Sequence, residues 1–135
     1  MAEFHPPLGG IHEAALYVDD LRRDERFWRR LGLQVVARQE GRHVFLRAGR
    51  DMLLLFDAAA TREDGPVPAH GTEGAGHVAL DVPDIAALDA WRAHLAEAGV
   101  AVEHEQEWPS GGRSIYFRDP SDNSLELITR GTWGF

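Results

Sequence analysis

The feature that most constrains this chain is an internal repeat. When Glu13 is aligned with His77, an offset of 64 residues, a strand, an aspartate suited to capping a helix and a helix recur in the same order. The two aspartates are Asp20 and Asp84. Three further strand-like segments, separated by turn residues, follow each helix. The chain is therefore predicted to consist of two modules, each of the form βαβββ.

This arrangement of elements predicts an α+β fold within a single domain, residues 1–135. The modules are expected at about residues 9–57 and 75–130, joined by a loop of residues 58–74. The loop is rich in Gly, Ala and Pro and is long for a connection inside a compact domain. Long connections of this kind often carry function, so we expect a functional role for it.

Composition excludes several classes of protein. The chain has no cysteine, which removes disulfides, thiolate metal sites and a cysteine nucleophile. Its 22 acidic residues outnumber 14 basic ones, and a net charge of −8 disfavours nucleic acid as a partner. Since no apolar run approaches the roughly twenty residues of a membrane span, we expect no membrane partner. The predicted localisation is cytoplasmic.

Alternation of side chains along the strands assigns the polar residues to faces. Val78, Leu80 and Val82 must pack under the helix, so His77 points to the opposite face. The same parity places Glu13 of the first copy and Glu126 of the last strand on that face. Proteins keep a buried carboxylate where it is paired, protonated or bound to metal.

Parity therefore predicts that Glu13, His77 and Glu126 line one surface and are candidate metal ligands. His12 would point under the helix or lie at the start of the strand. It ranks below Glu13 as first ligand, and the choice between them stays open at this stage.

Three segments resemble the vicinal oxygen chelate superfamily, which includes glyoxalase I, extradiol dioxygenases, fosfomycin-resistance thiol transferases and bleomycin-resistance proteins. They are HEAALYVDDLRRDERFWRRLGL (12–33), GHVALDVPDIAALDAWRAHLAEAGV (76–100) and RSIYFRDPSDNSLELI (113–128). The resemblance implies that the two modules form a cup-shaped, incompletely closed mixed β-sheet with flanking helices around one divalent metal ion. It implies Glu13, His77 and Glu126 as ligands, and a homodimer whose modules pair within or between chains.

Departures from the relatives narrow the activity. One His and two carboxylates favour Mn, Zn, Ni, Co or Mg over Fe(II), whereas extradiol dioxygenases use two His and one carboxylate. Glyoxalase I carries a fourth, carboxylate ligand where this chain has Leu54 or Leu55, so glyoxalase I itself is not expected. The resemblance implies an enzyme whose metal polarises an oxygen of a small oxygen-rich substrate. Lyase, isomerase, transferase and dioxygenase chemistry remain open.

Two alternatives are retained. A fosfomycin-type thiol transferase is suggested because Ser114 and Tyr116 match residue types of that pocket and Arg113 could pair with an anion. Ala15 and Gln106 stand where binding of a phosphonate needs a hydroxyl and a basic residue. The other alternative is a metal-free protein that sequesters a ligand, as bleomycin-resistance proteins do. Retention of all three ligand residues argues against it.

The remaining candidate residues belong to the same predicted cup. Tyr116 and His70 are the catalytic candidates, as groups that could donate or accept a proton. The substrate-binding candidates are Ser114, Tyr116, Arg113 and Trp108. The expected partner is a small-molecule substrate.

Overall fold

A computed structural model describes residue 6 and residues 11–134. The first module contains β1 (Glu13–Val18), α1 (Leu21–Arg30), β2 (Gln34–Gln39), β3 (His43–Ala48) and β4 (Asp51–Asp57). A short helix, α2 (Ala58–Arg62), follows β4. The second module contains β5 (His77–Val82), α3 (Ile85–Glu97), β6 (His104–Glu107), β7 (Arg113–Arg118) and β8 (Ser124–Thr129).

Each module forms a four-stranded mixed sheet, with strand orders β1-β4-β3-β2 and β5-β8-β7-β6. The first strand of each module runs parallel to its last, and the other pairs are antiparallel. The register also repeats, since Ala15 lies opposite Leu54 as Ala79 lies opposite Glu126. The predicted α+β fold of two βαβββ modules is confirmed, and neither sheet closes on itself.

The predicted helix boundaries follow from local chemistry. The side chains of Asp20 and Asp84 each accept the backbone N–H three residues on, at 3.1 and 2.8 Å, which caps α1 and α3. Gly32 and Gly99 follow the two helices with positive φ angles of 109° and 75°, the conformation that ends a helix with glycine.

In residues 11–134, no helix is both long and apolar enough to cross a membrane.

The hydrophobic core lies between each sheet and its helix. Leu16 of β1 and Leu125 and Leu127 of β8 point into it, next to Trp28 of α1, which is fully buried. Their sequence neighbours point the other way, as the parity argument predicted. We call this other surface of each sheet, which carries no helix from its own module, the open face. It carries the polar residues discussed below.

The connection between the modules begins with helix, where the sequence was expected to form a loop. Asp57 accepts the backbone N–H of Ala60 at 3.0 Å, and the fully buried Thr61 donates to the carbonyl of Asp57 at 3.2 Å. An aspartate cap followed by three alanines is a strong start for a helix. The Gly and Pro content that predicted a loop lies further on, in residues 65–76.

The two modules are joined at a buried asparagine in the turn between β7 and β8. Asn123 donates through its backbone and side chain to the carboxylate of Asp119, at 2.8 and 2.9 Å. Its Oδ1 accepts the backbone N–H of Gly76 at 2.6 Å, and its Nδ2 lies 3.5 Å from the carbonyl of Tyr17. One side chain thus connects β8, the start of β5 and the end of β1.

A buried carboxylate lies beside this junction. Asp24 of α1 has no exposed surface; Arg23 contacts its Oδ2 at 3.1 Å and Ser121 donates to that oxygen at 3.0 Å. Burial raises the pKa of Asp24 from its ordinary 3.8 to about 6, and the charge of Asp119 acts in the same direction. Ser121 and Arg23 oppose the shift without cancelling it.

We predict that replacing Asp24 by asparagine changes the pH dependence of stability. Because the folded-state pKa is raised, the protonated carboxyl favours the fold below pH 3.8, and this contribution is lost as the pH rises through about 6. Relative to wild type, Asp24→Asn should therefore gain up to about 3 kcal/mol in free energy of unfolding between pH 4 and 7. Urea unfolding at several pH values measures this difference; parallel curves would contradict it.

Candidate metal centre

A histidine and a carboxylate meet on the open face of the second module. The register of β5 and β8 places His77 opposite Ser124, and Glu126 opposite Ala79, so His77 and Glu126 are diagonal neighbours. The Nε2 atom of His77 lies 3.3 Å from Oε1 of Glu126. The side chain of Glu126 is 8% exposed, whereas that of His77 is about half exposed.

The second ring nitrogen of His77 determines what the first can do. Nδ1 lies 3.0 Å from the carbonyl oxygen of Ser124. A carbonyl only accepts, so Nδ1 carries the hydrogen and Nε2 of the neutral ring presents a lone pair. That lone pair and the carboxylate oxygen require a cation between them, either a proton or a metal ion.

The donor set fits a divalent ion. Nitrogen and oxygen ligands at 2.0–2.2 Å from one ion stand roughly 3.0–3.5 Å apart, which includes the observed 3.3 Å. The Nδ1–H hydrogen bond of His77 to a backbone carbonyl is also the outer contact that most metal-binding histidines make.

Two further side chains orient the carboxylate. The hydroxyl of Ser114 donates to Oε2 of Glu126 at 2.5 Å, and the indole N–H of Trp108 donates to Ser114 Oγ at 2.8 Å. Because an indole N–H only donates, the Ser114 hydroxyl must direct its own hydrogen to Glu126. Since Oε2 of Glu126 accepts the hydrogen bond from Ser114, the other oxygen, Oε1, faces His77.

Tyr116 lies beside the pair. It is the register partner of Glu126 on β7, and its ring centroid is 6.5 Å from that of His77 with 22° between the planes. Burial raises the pKa of Tyr116, and the charge of Glu126 raises it further. The phenol therefore keeps its proton at neutral pH and can donate it in a hydrogen bond.

The structure brings five of the predicted site residues together and keeps three apart. The assembled residues are His77, Glu126, Ser114, Tyr116 and Trp108. Glu13 starts β1 on the open face of the first module, and His70 accepts from or donates to the Tyr17 hydroxyl there at 2.6 Å. Arg113 pairs with Glu107 at 2.6 Å and, by strand alternation, lies on the face opposite Ser114.

Within residues 11–134 no three His, Asp or Glu side chains converge to hold a metal ion. The three-ligand set that includes Glu13 therefore stays a prediction. The pair His77 and Glu126 is the part of it that one chain assembles.

Sequence reasoning missed a group of rings on the open face of the first module. His43 and Phe45 of β3 share it with Phe56 of β4 and Tyr17 of β1. The parity rule applied to "HVFLRA" and "DMLLLFD" would have found three of them. The register also decides whether Leu54 or Leu55 occupies the position of the fourth ligand of glyoxalase I. It is Leu54, because Leu54 lies opposite Ala15 as Glu126 lies opposite Ala79.

Comparison with known proteins identifies the family of the chain. Residues 10–127 match the model of the Glyoxalase/Bleomycin resistance protein/Dioxygenase superfamily. The chain belongs to that superfamily, as the resemblance of its motifs predicted.

Three proteins are similar to this chain in sequence, and two of them also in structure. A crystal structure of lactoylglutathione lyase from Agrobacterium tumefaciens is 40% identical, with a TM-score of 0.92 over 96% of this chain and 100% of that one. A glyoxalase/bleomycin resistance protein/dioxygenase from Nocardioides is 25% identical, with a TM-score of 0.73 over 93% and 85%. Catechol-2,3-dioxygenase of Bacillus subtilis (strain 168) is 27% identical over 93% of this chain. The chain spans only 46% of that dioxygenase's length.

Proposed function

We propose that this protein is a metal-dependent enzyme that acts on a small oxygen-rich substrate. The observation that carries the proposal is the 3.3 Å approach of His77 Nε2 to Glu126 Oε1, with the other end of each group already hydrogen-bonded. Glu13 is the proposed third ligand. A divalent ion bound there would act as a Lewis acid on a substrate oxygen.

The chain's own residues have separate roles in this proposal. His77 and Glu126 bind the ion, and Ser114 with Trp108 holds the carboxylate in one orientation. Tyr116, a neutral phenol next to Glu126, donates a hydrogen bond or a proton to the substrate oxygen. Polar groups fixed in advance in this way stabilise developing charge without reorganising.

The comparisons support some reaction types more than others. Similarity to the Agrobacterium lactoylglutathione lyase supports a lyase. Lactoylglutathione lyase is another name for glyoxalase I, so Leu54 counts against this chain sharing that relative's reaction itself: an apolar side chain stands at the register position of a fourth carboxylate ligand. The ligand set with one histidine disfavours iron-dependent ring cleavage. A thiol transferase is also less supported, since Arg113 lies away from Ser114.

We further propose that two copies of the chain complete each site. Glu13 is exposed and lies on the first module, apart from the His77–Glu126 pair of the second. β1 and β5, which carry Glu13 and His77, are both edge strands of their sheets; within one chain they contact each other but are not hydrogen-bonded as neighbouring strands. Edge strands are surfaces at which proteins associate, and a two-fold dimer would bring the first module of one copy to the second module of the other.

Metal content tests the proposed function. Untagged wild-type protein, dialysed against a mixture of Mn, Zn, Ni, Co and Mg ions and then against buffer, should retain one ion per chain by elemental analysis. Glu126→Gln, which keeps the shape but removes the charge, should retain almost none. Glu97→Gln, at the exposed end of α3, is the matched control and should behave as wild type.

Two other outcomes of the metal analysis would contradict the proposal. If wild type retains no ion, the enzyme proposal fails and the metal-free ligand-sequestering function takes its place. If Glu126→Gln and wild type retain the same ion equally, the site lies elsewhere.

A further inference from the structure

The turn that ends β8, residues 129–132, packs against the β6–β7 loop, residues 108–112. Oγ1 of Thr129, a residue only 6% exposed, accepts the backbone N–H of Arg113 at 3.0 Å. The Thr132 hydroxyl donates to the carbonyl of Thr129 at 2.7 Å, and the two Oγ1 atoms lie 3.1 Å apart. Because each hydroxyl has a single hydrogen, that of Thr129 must donate to Thr132. Both hydrogens are used, so the Thr132 side chain is held in one orientation.

Gly112 leaves the space that Thr132 occupies. Its φ angle lies outside the left-handed region, so the backbone conformation at this position does not require glycine. A Cβ on Gly112 would overlap Oγ1 of Thr132 and would lie 2.9 Å from Cβ and 3.0 Å from Cγ2 of the same residue. Thr132 cannot turn away without losing the hydrogen bonds of its hydroxyl. The close approach of Thr132 is therefore what requires glycine here.

The β6–β7 loop also carries the indole of the candidate metal centre. The backbone N–H of Trp108 donates to the carbonyl of Gly112 at 2.8 Å, and the carbonyl of Trp108 accepts the N–H of Gly111 at 2.9 Å. The indole N–H of Trp108 donates to Ser114, whose hydroxyl donates to Glu126. The position of Trp108 thus depends on Gly112, and the orientation of the Glu126 carboxylate depends on Trp108.

We infer that Thr132 and Gly112 are positioning residues that fix the Glu126 carboxylate from outside the candidate metal centre. Thr132 packs on Gly112 and holds the β6–β7 loop, and the loop sets the position from which Trp108 reaches Ser114. The inference rests on the proposed function only where it passes from Glu126 to a metal ion. The contacts that lead from Thr132 to Glu126 involve no metal, so they can be tested separately.

Two variants disturb the contact from opposite sides. Gly112→Ala adds a methyl group where Thr132 lies, and Thr132→Gly removes the atoms that this methyl group would meet. Each alone should lower the affinity for Zn²⁺ by about tenfold, the lower end of the effect of changing an outer contact of a metal ligand. The double variant should bind Zn²⁺ no more weakly than Thr132→Gly does, because the two changes act on one contact. Calorimetry of untagged protein with a competing chelator measures the four affinities, and losses that simply add would overturn the inference.

Gly65→Ala is the matched control. The φ angle of Gly65 also lies outside the left-handed region, but no heavy atom of the described residues, its chain neighbours aside, lies within 4 Å of the position that a Cβ would take. Gly65→Ala should bind Zn²⁺ as wild type does. If it weakened binding as strongly as Gly112→Ala, the contact with Thr132 would not be the cause and the inference would be wrong.

Hydrogen exchange of the Trp108 indole N–H provides a readout that needs no metal. Its NMR signal is identified by its absence in Trp108→Phe. Exchange in metal-free buffer should be about tenfold faster in Gly112→Ala and in Thr132→Gly than in wild type, because the hydrogen bond to Ser114 is weakened. Unchanged exchange would overturn the inference. Faster exchange in the variants of a protein that binds no Zn²⁺ would support the positioning role and contradict the proposed function instead.

Two substitutions of Thr132 keep the test decisive if Gly112→Ala fails to fold. Thr132→Ser retains the hydroxyl and should match wild type in Zn²⁺ affinity and in indole exchange. Thr132→Val retains the volume but loses both hydrogen bonds of the hydroxyl, so it should weaken Zn²⁺ binding and speed up exchange. Equal results for the two variants would show that the hydroxyl does not hold the loop and would overturn the inference.

Discussion

Replacing His77 by alanine is expected to lower the affinity for Zn²⁺ or Mn²⁺ by more than about 100-fold, and replacing Ser114 by alanine by about 10–100-fold. His77→Ala removes a ligand atom from the proposed site. Ser114→Ala leaves both ligand groups but frees the Glu126 carboxylate to rotate, because the 2.5 Å hydrogen bond to Oε2 is lost. Calorimetry with untagged protein and a competing chelator measures the three affinities.

A second histidine supplies the control for this series. His94 of α3 packs on Trp91 with ring centroids 5.3 Å apart and lies on the helix, away from the open face. His94→Ala should bind metal as wild type does. If it reduces affinity as strongly as His77→Ala, loss of folded protein explains both, and if neither variant has an effect, His77 is not a ligand.

Strand alternation let the sequence predict that His77 and Glu126 share one face of the sheet. The side chains of Leu125 and Leu127 had to face the core, so Glu126 between them had to face the other way whatever the details of packing. The same rule placed His77, and parallel pairing of β5 with β8 then made the two residues neighbours. Covalent geometry and one hydrophobic face are sufficient to assign each side chain to a face, whereas the pairing of the two strands comes from the structure.

The parts that alternation could not predict depend on distances between strands. The role of Trp108 follows from the reach of its indole across the β6–β7 hairpin to Ser114, which no spacing along the chain reveals. Choosing Leu54 over Leu55 required the register of β1 against β4. The burial of Asp24 was also hidden, because the charged residues around it predict an exposed helix surface while the turn containing Ser121 covers it.

Mixing two inactive variants is expected to restore metal binding if each site is shared between copies. Glu13→Ala and Glu126→Ala should each retain almost no metal alone. In a dimer with one chain of each kind, one site would lack both residues, and the other would combine Glu13 of one copy with Glu126 of the other and be intact. Random pairing after joint unfolding and refolding should then give about one quarter of the wild-type metal content per chain.

The mixture distinguishes a metal site shared between two chains from a site formed within one chain. Mixing variants cannot restore metal binding to a site that lies within one chain. In that arrangement every chain of the mixture carries its own defect, and metal content stays near zero. A mixture of His77→Ala with Glu126→Ala is the matched control, since both defects lie on the second module and no pairing of chains restores a complete set. Restoration in the first mixture but not in the second would assign Glu13 to the partner's site, whereas restoration in neither, with wild type fully loaded, would place all three ligands in one chain.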